Sequence, residues 1–198
     1  MTPRRPGHFH AVKFYDSSAS LSRIAAEFLG EGLGSRQRAL VIGTPPHRKA
    51  VIDELRARHF DVLGMEAAGD LVMLDAQAML GSFMVGGRPD ASLFQATAAR
   101  QLDRLGDRPI RVFGEGVDVL WKAGLGDAAL RLEMLWNKLT LGRDIKTLCA
   151  YSVSNFYNDT SLRAIFDEHS HVVSDKGATI HAHPTVRWAG PPASRQGS

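Results

Sequence analysis

Histidines separated by a single residue are the first candidates for chemistry in this sequence. On an extended strand, two such side chains project to the same face and can hold a metal ion together. The chain contains three of these pairs, at His8 and His10, His169 and His171, and His181 and His183. No cysteine or acidic residue accompanies a pair at a recognised metal-binding spacing, although the last pair is the best of the three. The spacing therefore predicts no metal site and no cofactor.

Cys149 is the only cysteine, so no disulfide can form within the chain. It lies inside the apolar run KTLCAYS at 146–152, which is typical of a buried strand. A catalytic thiolate requires a neighbouring histidine or cation, and the sequence alone places none beside Cys149. A buried, unreactive thiol is the favoured interpretation, and a thiol-dependent hydrolase is the alternative.

Other polar residues occur where a strand or a helix would bring them to a pocket. Glu115 follows Gly114 at the end of an apolar run. Its carboxylate either accepts hydrogen bonds from a ligand or serves as the N-cap or first-turn acid of a helix. Glu133 and Asn137 are four residues apart and share one helix face. They either line a pocket beside the apolar stripe of that helix or form its solvated edge.

Short apolar runs alternate with helical patterns along the chain, and these elements must position the candidate residues. Strands are predicted at about 10–15, 38–44, 71–75, 110–114 and 146–152. Helices are predicted at about 19–33, 45–59, 76–84, 90–105, 117–124, 127–141 and 160–171. The alternation predicts an α/β fold in which a mostly parallel, five- to six-stranded sheet carries helices on both faces.

Ligands of open parallel sheets gather beyond the carboxyl ends of the strands. In this sequence those ends carry Asp16, Thr44, Asp75, Glu115 and Ser152. The first strand-to-helix turn, at 16–20, contains an acid and no glycine, so it would repel a phosphate rather than bind one. Gly30, Gly32 and Gly34 are predicted to end the first helix rather than to form a nucleotide site.

The 198 residues are 44% hydrophobic and 23% charged, as in ordinary globular proteins. The net charge of +3 comes from dispersed basic residues, so direct nucleic-acid binding is not expected. The chain has no membrane-spanning run and no apolar signal-peptide run, which favours a cytoplasmic location without membrane attachment. We predict a flexible lead-in at 1–8, one domain at 9–175, and an extended or disordered tail at 176–198 with at most a strand near 178–188.

Four ordered blocks of the sequence carry a resemblance to a known family. They cover residues 10–55, 71–90, 110–139 and 148–156 and include the runs HAVKFYDSS, IRVFGEGVD and LCAYSVSNF. These blocks resemble the MEDS family, the methanogen/methylotroph sensory domain typified by the DcmR regulator. The likeness extends over about residues 8–175 and rests on several blocks rather than on one short motif.

The resemblance implies a sensory domain of prokaryotic signal transduction that binds simple hydrocarbon derivatives, such as halogenated one-carbon compounds. It also implies a RecA/Rossmann-like three-layer sandwich that lacks the phosphate-binding P-loop. The family-like polar positions are His10, Tyr15, Asp16, Glu115, Glu133, Asn137, Cys149 and Tyr151. Relatives often carry a helix-turn-helix or histidine kinase domain, for which no room follows residue 175, and we expect them to have a bulkier residue at Gly116.

The leading hypothesis is a stand-alone, non-enzymatic sensor whose ligand enters a pocket at the carboxyl end of the sheet. His10, Glu115 and Cys149 would supply polar contacts, and Trp121 or Trp136 would form an apolar wall. Ligand binding would change a surface that a separate kinase, anti-sigma factor or transcription regulator recognises, with a homodimer as one candidate assembly. The alternatives are a protein–protein interaction scaffold without a ligand and a degenerate nucleotide-binding enzyme.

Overall fold

The computed structural model describes residues 9–156, 162–174 and 176–181. The strands are β1 (Phe9–Tyr15), β2 (Arg38–Gly43), β3 (Leu71–Asp75), β4 (Met84–Val85), β5 (Arg88–Pro89), β6 (Ile110–Gly114), β7 (Ile145–Ser152), β8 (His171–Val173) and β9 (Thr179–His181). The helices are α1 (Ser18–Gly34), α2 (Pro45–Ala57), α3 (Val62–Ala67), α4 (Ala76–Gly81), α5 (Ala91–Arg104), α6 (Gly116–Lys122), α7 (Gly126–Thr140) and α8 (Leu162–Glu168). A short 3-10 turn, Val153–Phe156, follows β7.

Seven strands form one sheet in the order β3-β2-β6-β7-β1-β8-β9. All neighbours in this sheet run parallel except β8 and β9, which pair antiparallel. Strands β4 and β5 form a separate antiparallel hairpin. The predicted α/β class with a mostly parallel sheet is confirmed, although the sheet has more strands than the five to six expected.

The additional strands come from the carboxyl-terminal part of the chain. Helix α8 ends at Glu168, earlier than predicted, because the segment His171–Val173 pairs with β1 as strand β8. The extended segment predicted near 178–188 is represented by β9, and its remainder lies outside the described residues. The predicted lead-in at 1–8 and the tail beyond residue 181 also lie outside them.

Two hydrophobic cores cover the two faces of the sheet and make the molecule three layers thick. Helices α1, α2 and α3 pack on one face, and α4 to α8 pack on the other. Alternate residues of each strand point to opposite faces. Val12 and Phe14 of β1 therefore join the core under α7, whereas Ala11 and Tyr15 join the core under α1. None of the helices in the described ranges is both long and apolar enough to cross a bilayer.

The turn between β1 and α1 contains the N-cap of α1, which is Ser17. The Ser17 hydroxyl accepts a hydrogen bond from the backbone N–H of Ser20 at 3.2 Å, and Asp16 beside it is exposed. A serine oxygen at this position satisfies one of the first-turn N–H groups of the helix. The acid and the side-chain cap thus occupy the place that a phosphate-binding loop would need.

The glycines of α1 have a role that differs from the predicted one. The helix continues through Gly30 and Gly32 and ends at Gly34, with Ser35 as its cap. A Cβ atom on Gly32 would lie 2.8 Å from Cδ of the buried Arg111 on β6. Gly32 therefore permits close packing of α1 on the sheet, and only Gly34 lies at the helix end.

Candidate functional site

Four polar side chains meet between the sheet and α7, and we call them the buried centre: His10, Glu133, Cys149 and His169. Their side-chain donor and acceptor atoms all lie within 4.8 Å of one another. Each residue is at most 3% exposed. A group of this polarity costs folding free energy unless its members satisfy one another, so its presence inside the core calls for a chemical reason.

The sheet register brings the strand members of the buried centre together. Strand β1 pairs with β7 so that His10 lies opposite Thr147 and Val12 lies opposite Cys149. His10 and Cys149 both point toward α7, as the alternation of side chains along each strand requires. On α7 itself, Glu133 belongs to the buried face of the helix, beside Leu132 and Trp136. The predicted pair Glu133 and Asn137 thus faces the interior rather than a solvated edge.

Glu133 is the hub of the buried centre. Its Oε2 lies 3.3 Å from Nε2 of His10 and 3.4 Å from Sγ of Cys149. Its Oε1 accepts a hydrogen bond from the Tyr151 hydroxyl at 3.0 Å and lies 3.4 Å from Nε2 of His169. Burial alone would raise the pKa of Glu133, but His169 and His10 together hold it well below the ordinary value. Glu133 is therefore a buried carboxylate.

Backbone and amide groups fix the orientation of both histidine rings. Nδ1 of His169 lies 2.6 Å from the carbonyl oxygen of Ile165, which can only accept, so Nδ1 carries a proton. Nδ1 of His10 lies 2.8 Å from Oδ1 of Asn137, whose Nδ2 donates to the carbonyl and carboxylate oxygens of Glu168 at 2.9 and 2.8 Å. Both rings consequently direct Nε2 toward the buried centre.

Cys149 and Tyr151 are neutral groups in this arrangement. Burial, and then the charge of Glu133, raise the pKa of the Cys149 thiol well above its ordinary value. The same two causes raise the pKa of the Tyr151 hydroxyl. Nε2 of His10 lies 3.2 Å from Cys149 Sγ, so the histidine that a thiol nucleophile requires is present, but the sulfur is only 3% exposed. Cys149 thus occupies the buried strand position that the apolar run around it predicts.

A small apolar cavity is lined in part by Cys149. Its volume is about 20 Å³, which accommodates a molecule little larger than water. Leu80, Phe83, Leu132 and Trp136 contribute to its wall, and the backbone of Gly114 and Gly116 forms another part. An added Cβ on Gly114 would meet no atom within 4 Å, so this glycine leaves the space open. Of the two tryptophans predicted as an apolar wall, Trp136 lines this cavity.

Glu115 lies close to the cavity along the chain but points elsewhere. Its carboxylate accepts hydrogen bonds from the backbone N–H of Thr44 and from Nδ1 of His47, the latter at 2.5 Å. Nε2 of His47 lies 2.9 Å from Oγ of Ser18 at the start of α1. Glu115 is 1% exposed and makes no side-chain cap of its own helix. It belongs to a hydrogen-bond chain at the carboxyl edge of the sheet and not to the buried centre.

A second group of predicted residues also lies at the carboxyl edge. The Tyr15 hydroxyl donates to Oδ2 of Asp118 at 2.7 Å, and burial followed by Asp118 raises its pKa. The ring of Trp121 contacts the rings of Tyr151 and Phe156 instead of the cavity. The predicted ligand-contacting residues therefore divide between this edge (Tyr15, Asp16, Glu115 and Trp121) and the region of the buried centre (His10, Glu133, Asn137, Cys149 and Tyr151).

Sequence reasoning considered His169 only as half of a pair. The structure separates the two members of the pair. His169 points into the buried centre, whereas His171 of β8 stacks on Phe9 of β1, with ring centroids 4.6 Å apart. The ring of His181 lies against that of His171 across the β8–β9 pair, tilted by 37° with ring centroids 4.4 Å apart. His8 and His183 lie outside the described residues. No local pattern marks His169 as a partner of Glu133, because the contact depends on how α8 packs against α7.

Comparison with known families agrees with the ordered blocks of the sequence. A family model described as the MEthanogen/methylotroph, DcmR Sensory domain (MEDS) matches residues 9–169. The matched range begins with β1 and ends at His169, so it contains every member of the buried centre. No curated protein matches the chain in the corresponding comparison.

Proposed function

Because the chain belongs to the MEDS family of sensory domains, we propose that it binds a small organic molecule and signals this to a protein partner. The apolar cavity beside Cys149 is the observation that carries the proposal. Its wall suits an alkyl or halogenated carbon, and the sulfur of Cys149 supplies a polarisable contact. Met79 and Leu80 of the short helix α4 also line it, and their displacement would admit a one-carbon compound.

Helix α7 supports the signalling part of the proposal. Leu132 and Trp136 of this helix line the cavity, while Met134 is 56% exposed on its outer side. An occupant that shifts α7 would thereby change a surface that a kinase, an anti-sigma factor or a transcription regulator can recognise. A second copy of the chain could use the same surface. We propose binding without turnover, because Cys149 is buried away from solvent.

The substitution Gly114→Ala tests the cavity as the ligand site. Gly114 lines the cavity, and an added Cβ there would meet no atom within 4 Å, so alanine takes up cavity space without displacing a neighbour. Isothermal titration of methanol, formaldehyde and dichloromethane should show binding of at least one probe to the wild type. We expect that binding to weaken at least about ten-fold in Gly114→Ala, since the methyl group and the probe compete for one space.

Gly34→Ala is the matched control for this experiment. Gly34 is exposed at the end of α1, and a Cβ there also meets no atom within 4 Å. This variant should bind the probe as the wild type does. The absence of binding to the wild type, or equal binding by Gly114→Ala, would contradict the proposal.

A second candidate function, hydrolysis of an ester or acyl bond, is favoured by the chain of Ser18, His47 and Glu115. An exposed serine hydroxyl lies 2.9 Å from one histidine nitrogen, and a buried carboxylate lies 2.5 Å from the other. This order of nucleophile, base and orienting acid is the one that activates serine hydroxyls. Ser18 Oγ would attack the carbonyl carbon while His47 takes its proton and delivers it to the leaving group, and water would then release the acyl group.

Labelling with a fluorophosphonate probe tests this second candidate. The probe forms a covalent bond with an activated serine, so the wild type should be labelled and Ser18→Ala should not. Ser20→Ala, two residues further along the same helix, is the control that keeps the labelling. An unlabelled wild type would exclude hydrolysis at Ser18 and leave the binding proposal as it stands.

A further inference from the structure

We propose that the buried centre, His10, Glu133, Cys149 and His169, binds one divalent transition-metal ion, and that its donor set selects zinc. This inference does not depend on a ligand in the apolar cavity. It rests on the distances among the four side chains, on the groups that orient them and on their burial. Each of these observations is independent of the hydrocarbon derivatives implied for the family.

Four of the separations among the side chains are close to the edge length of a small coordination polyhedron, and all the donor atoms lie within 4.8 Å of one another. Nε2 of His10 lies 3.2 Å from Sγ of Cys149 and 3.3 Å from Oε2 of Glu133. Glu133 lies 3.4 Å from Cys149 through Oε2 and 3.4 Å from Nε2 of His169 through Oε1. Zinc bonds of about 2.0–2.3 Å in a tetrahedron place neighbouring donor atoms roughly 3.3–3.6 Å apart. Small side-chain rotations are sufficient to seat an ion among them.

The surrounding groups orient the histidines as metal ligands are oriented. Metal-bound histidines donate the other ring N–H to a carbonyl or carboxylate, which fixes the ring and its tautomer. His169 does so to the carbonyl of Ile165, and His10 does so to Oδ1 of Asn137. Asn137 is itself held by Glu168. With Nδ1 engaged in this way, each Nε2 faces the Glu133 carboxylate and is placed to bind a cation between them.

The charge and softness of the donors identify the class of ion. Binding of a divalent cation releases the Cys149 proton, after which thiolate and Glu133 together neutralise the ion in a site without solvent. Two imidazoles, one sulfur and one carboxylate suit zinc, whereas magnesium and calcium require oxygen donors. Four protein ligands leave no open coordination position, which is typical of a structural rather than a catalytic zinc site.

The bound ion would hold distant parts of the chain together. Its ligands come from β1, α7, β7 and the segment between α8 and β8. Such a link stabilises the folded state in proportion to the affinity for the metal, because the unfolded chain does not present these ligands together.

Metal analysis of the full-length protein, purified without a histidine tag, tests the proposal. Plasma mass spectrometry should find about one zinc per chain, and chelation should lower the midpoint of thermal unfolding, with recovery on adding zinc. Replacement by cobalt should produce a sulfur-to-cobalt charge-transfer band. Because the chain contains one cysteine, that band assigns Cys149 as a ligand even if no variant folds.

Two variants complete the test. Cys149→Ala should bind zinc at least about ten-fold more weakly. His171→Ala, which removes a histidine of β8 that stacks on Phe9, should keep the wild-type zinc content. A metal-free wild type that neither binds added zinc or cobalt nor gains thermal stability would overturn the proposal. Zinc that is lost in His171→Ala and kept in Cys149→Ala would also overturn it.

Discussion

At the scale of single residues, Asp118 connects more groups at the carboxyl edge than any predicted residue there. Its Oδ2 accepts from the Tyr15 hydroxyl and the Lys122 ammonium, both at 2.7 Å. Its Oδ1 accepts from the backbone N–H of Ser152 at 2.8 Å and from Nδ2 of Asn155 at 2.7 Å. Asp118 is 3% exposed, so these donors have little access to water as a substitute partner.

We predict that Asp118→Ala lowers the free energy of unfolding by about 3 kcal/mol, because it leaves buried donors without an acceptor. Lys122→Ala is the matched control, since its side chain is half-exposed and should contribute less than about 1 kcal/mol. Urea denaturation followed by circular dichroism measures both. Equal losses in the two variants would contradict the assigned role of Asp118.

The residues of the buried centre could be predicted only in part. The resemblance to the family indicates eight polar positions around one site, and the structure brings five of them into one region: His10, Glu133, Asn137, Cys149 and Tyr151. The other three, Tyr15, Asp16 and Glu115, lie at the carboxyl edge of the sheet. Residue type and spacing alone could not join the five, since the contact between β1 and β7 is decided by the order of strands. His169 and Asp118 contribute through packing that no local pattern encodes.

At the scale of elements, the contact of α1 with β6 depends on a glycine, Gly32, at the place where the helix meets the strand. Arg111 of β6 lies against Gly32, and its Nη1 donates to the carbonyl of Phe28 at 2.7 Å and to Oε2 of Glu31 at 2.8 Å. It also donates from Nε to Gln37 at 3.1 Å. A buried guanidinium with these partners has little freedom to move aside.

We predict that Gly32→Ala destabilises the fold by about 1–3 kcal/mol, although alanine is the better helix former. The added Cβ would lie only 2.8 Å from Cδ of Arg111, so the arginine side chain would have to move. Gly34→Ala, in the same helix with open space around it, should stay within about 0.5 kcal/mol of the wild type. Thermal unfolding of the two variants gives the comparison, and equal stability would refute the packing argument.

Long elements with a clear period were predictable, and short ones were not. Helices α1, α5 and α7 have a buried stripe at helical spacing and occur close to their expected bounds. Helix α3 and the β4–β5 hairpin contain too few residues to show a period. The helix predicted over 76–84 ends at Gly81, because the chain turns there toward the β4–β5 hairpin.

At the scale of the whole molecule, the sheet order places the first strand beside β8, which begins two residues after the end of the range that the family model matches. The backbone N–H of Ser170 donates to the carbonyl of His10 at 2.7 Å, and the Ser170 hydroxyl oxygen accepts from the backbone N–H of His10 at 2.8 Å. The two residues are 160 positions apart in the sequence. The alternation of strands and helices predicted the layers, but the adjacency of β1 and β8 is a tertiary result.

This adjacency has a consequence for synthesis on the ribosome. His10 is translated early and must wait for His169 and Ser170, so the interior between β1 and α7 cannot assemble while the carboxyl-terminal segment is still in the exit tunnel. A chain truncated before His169 would lack this histidine and the Ser170 contact to His10, so the groups around Glu133 and Cys149 would lose part of their cover. Only a chain synthesised past residue 170 acquires a sealed interior.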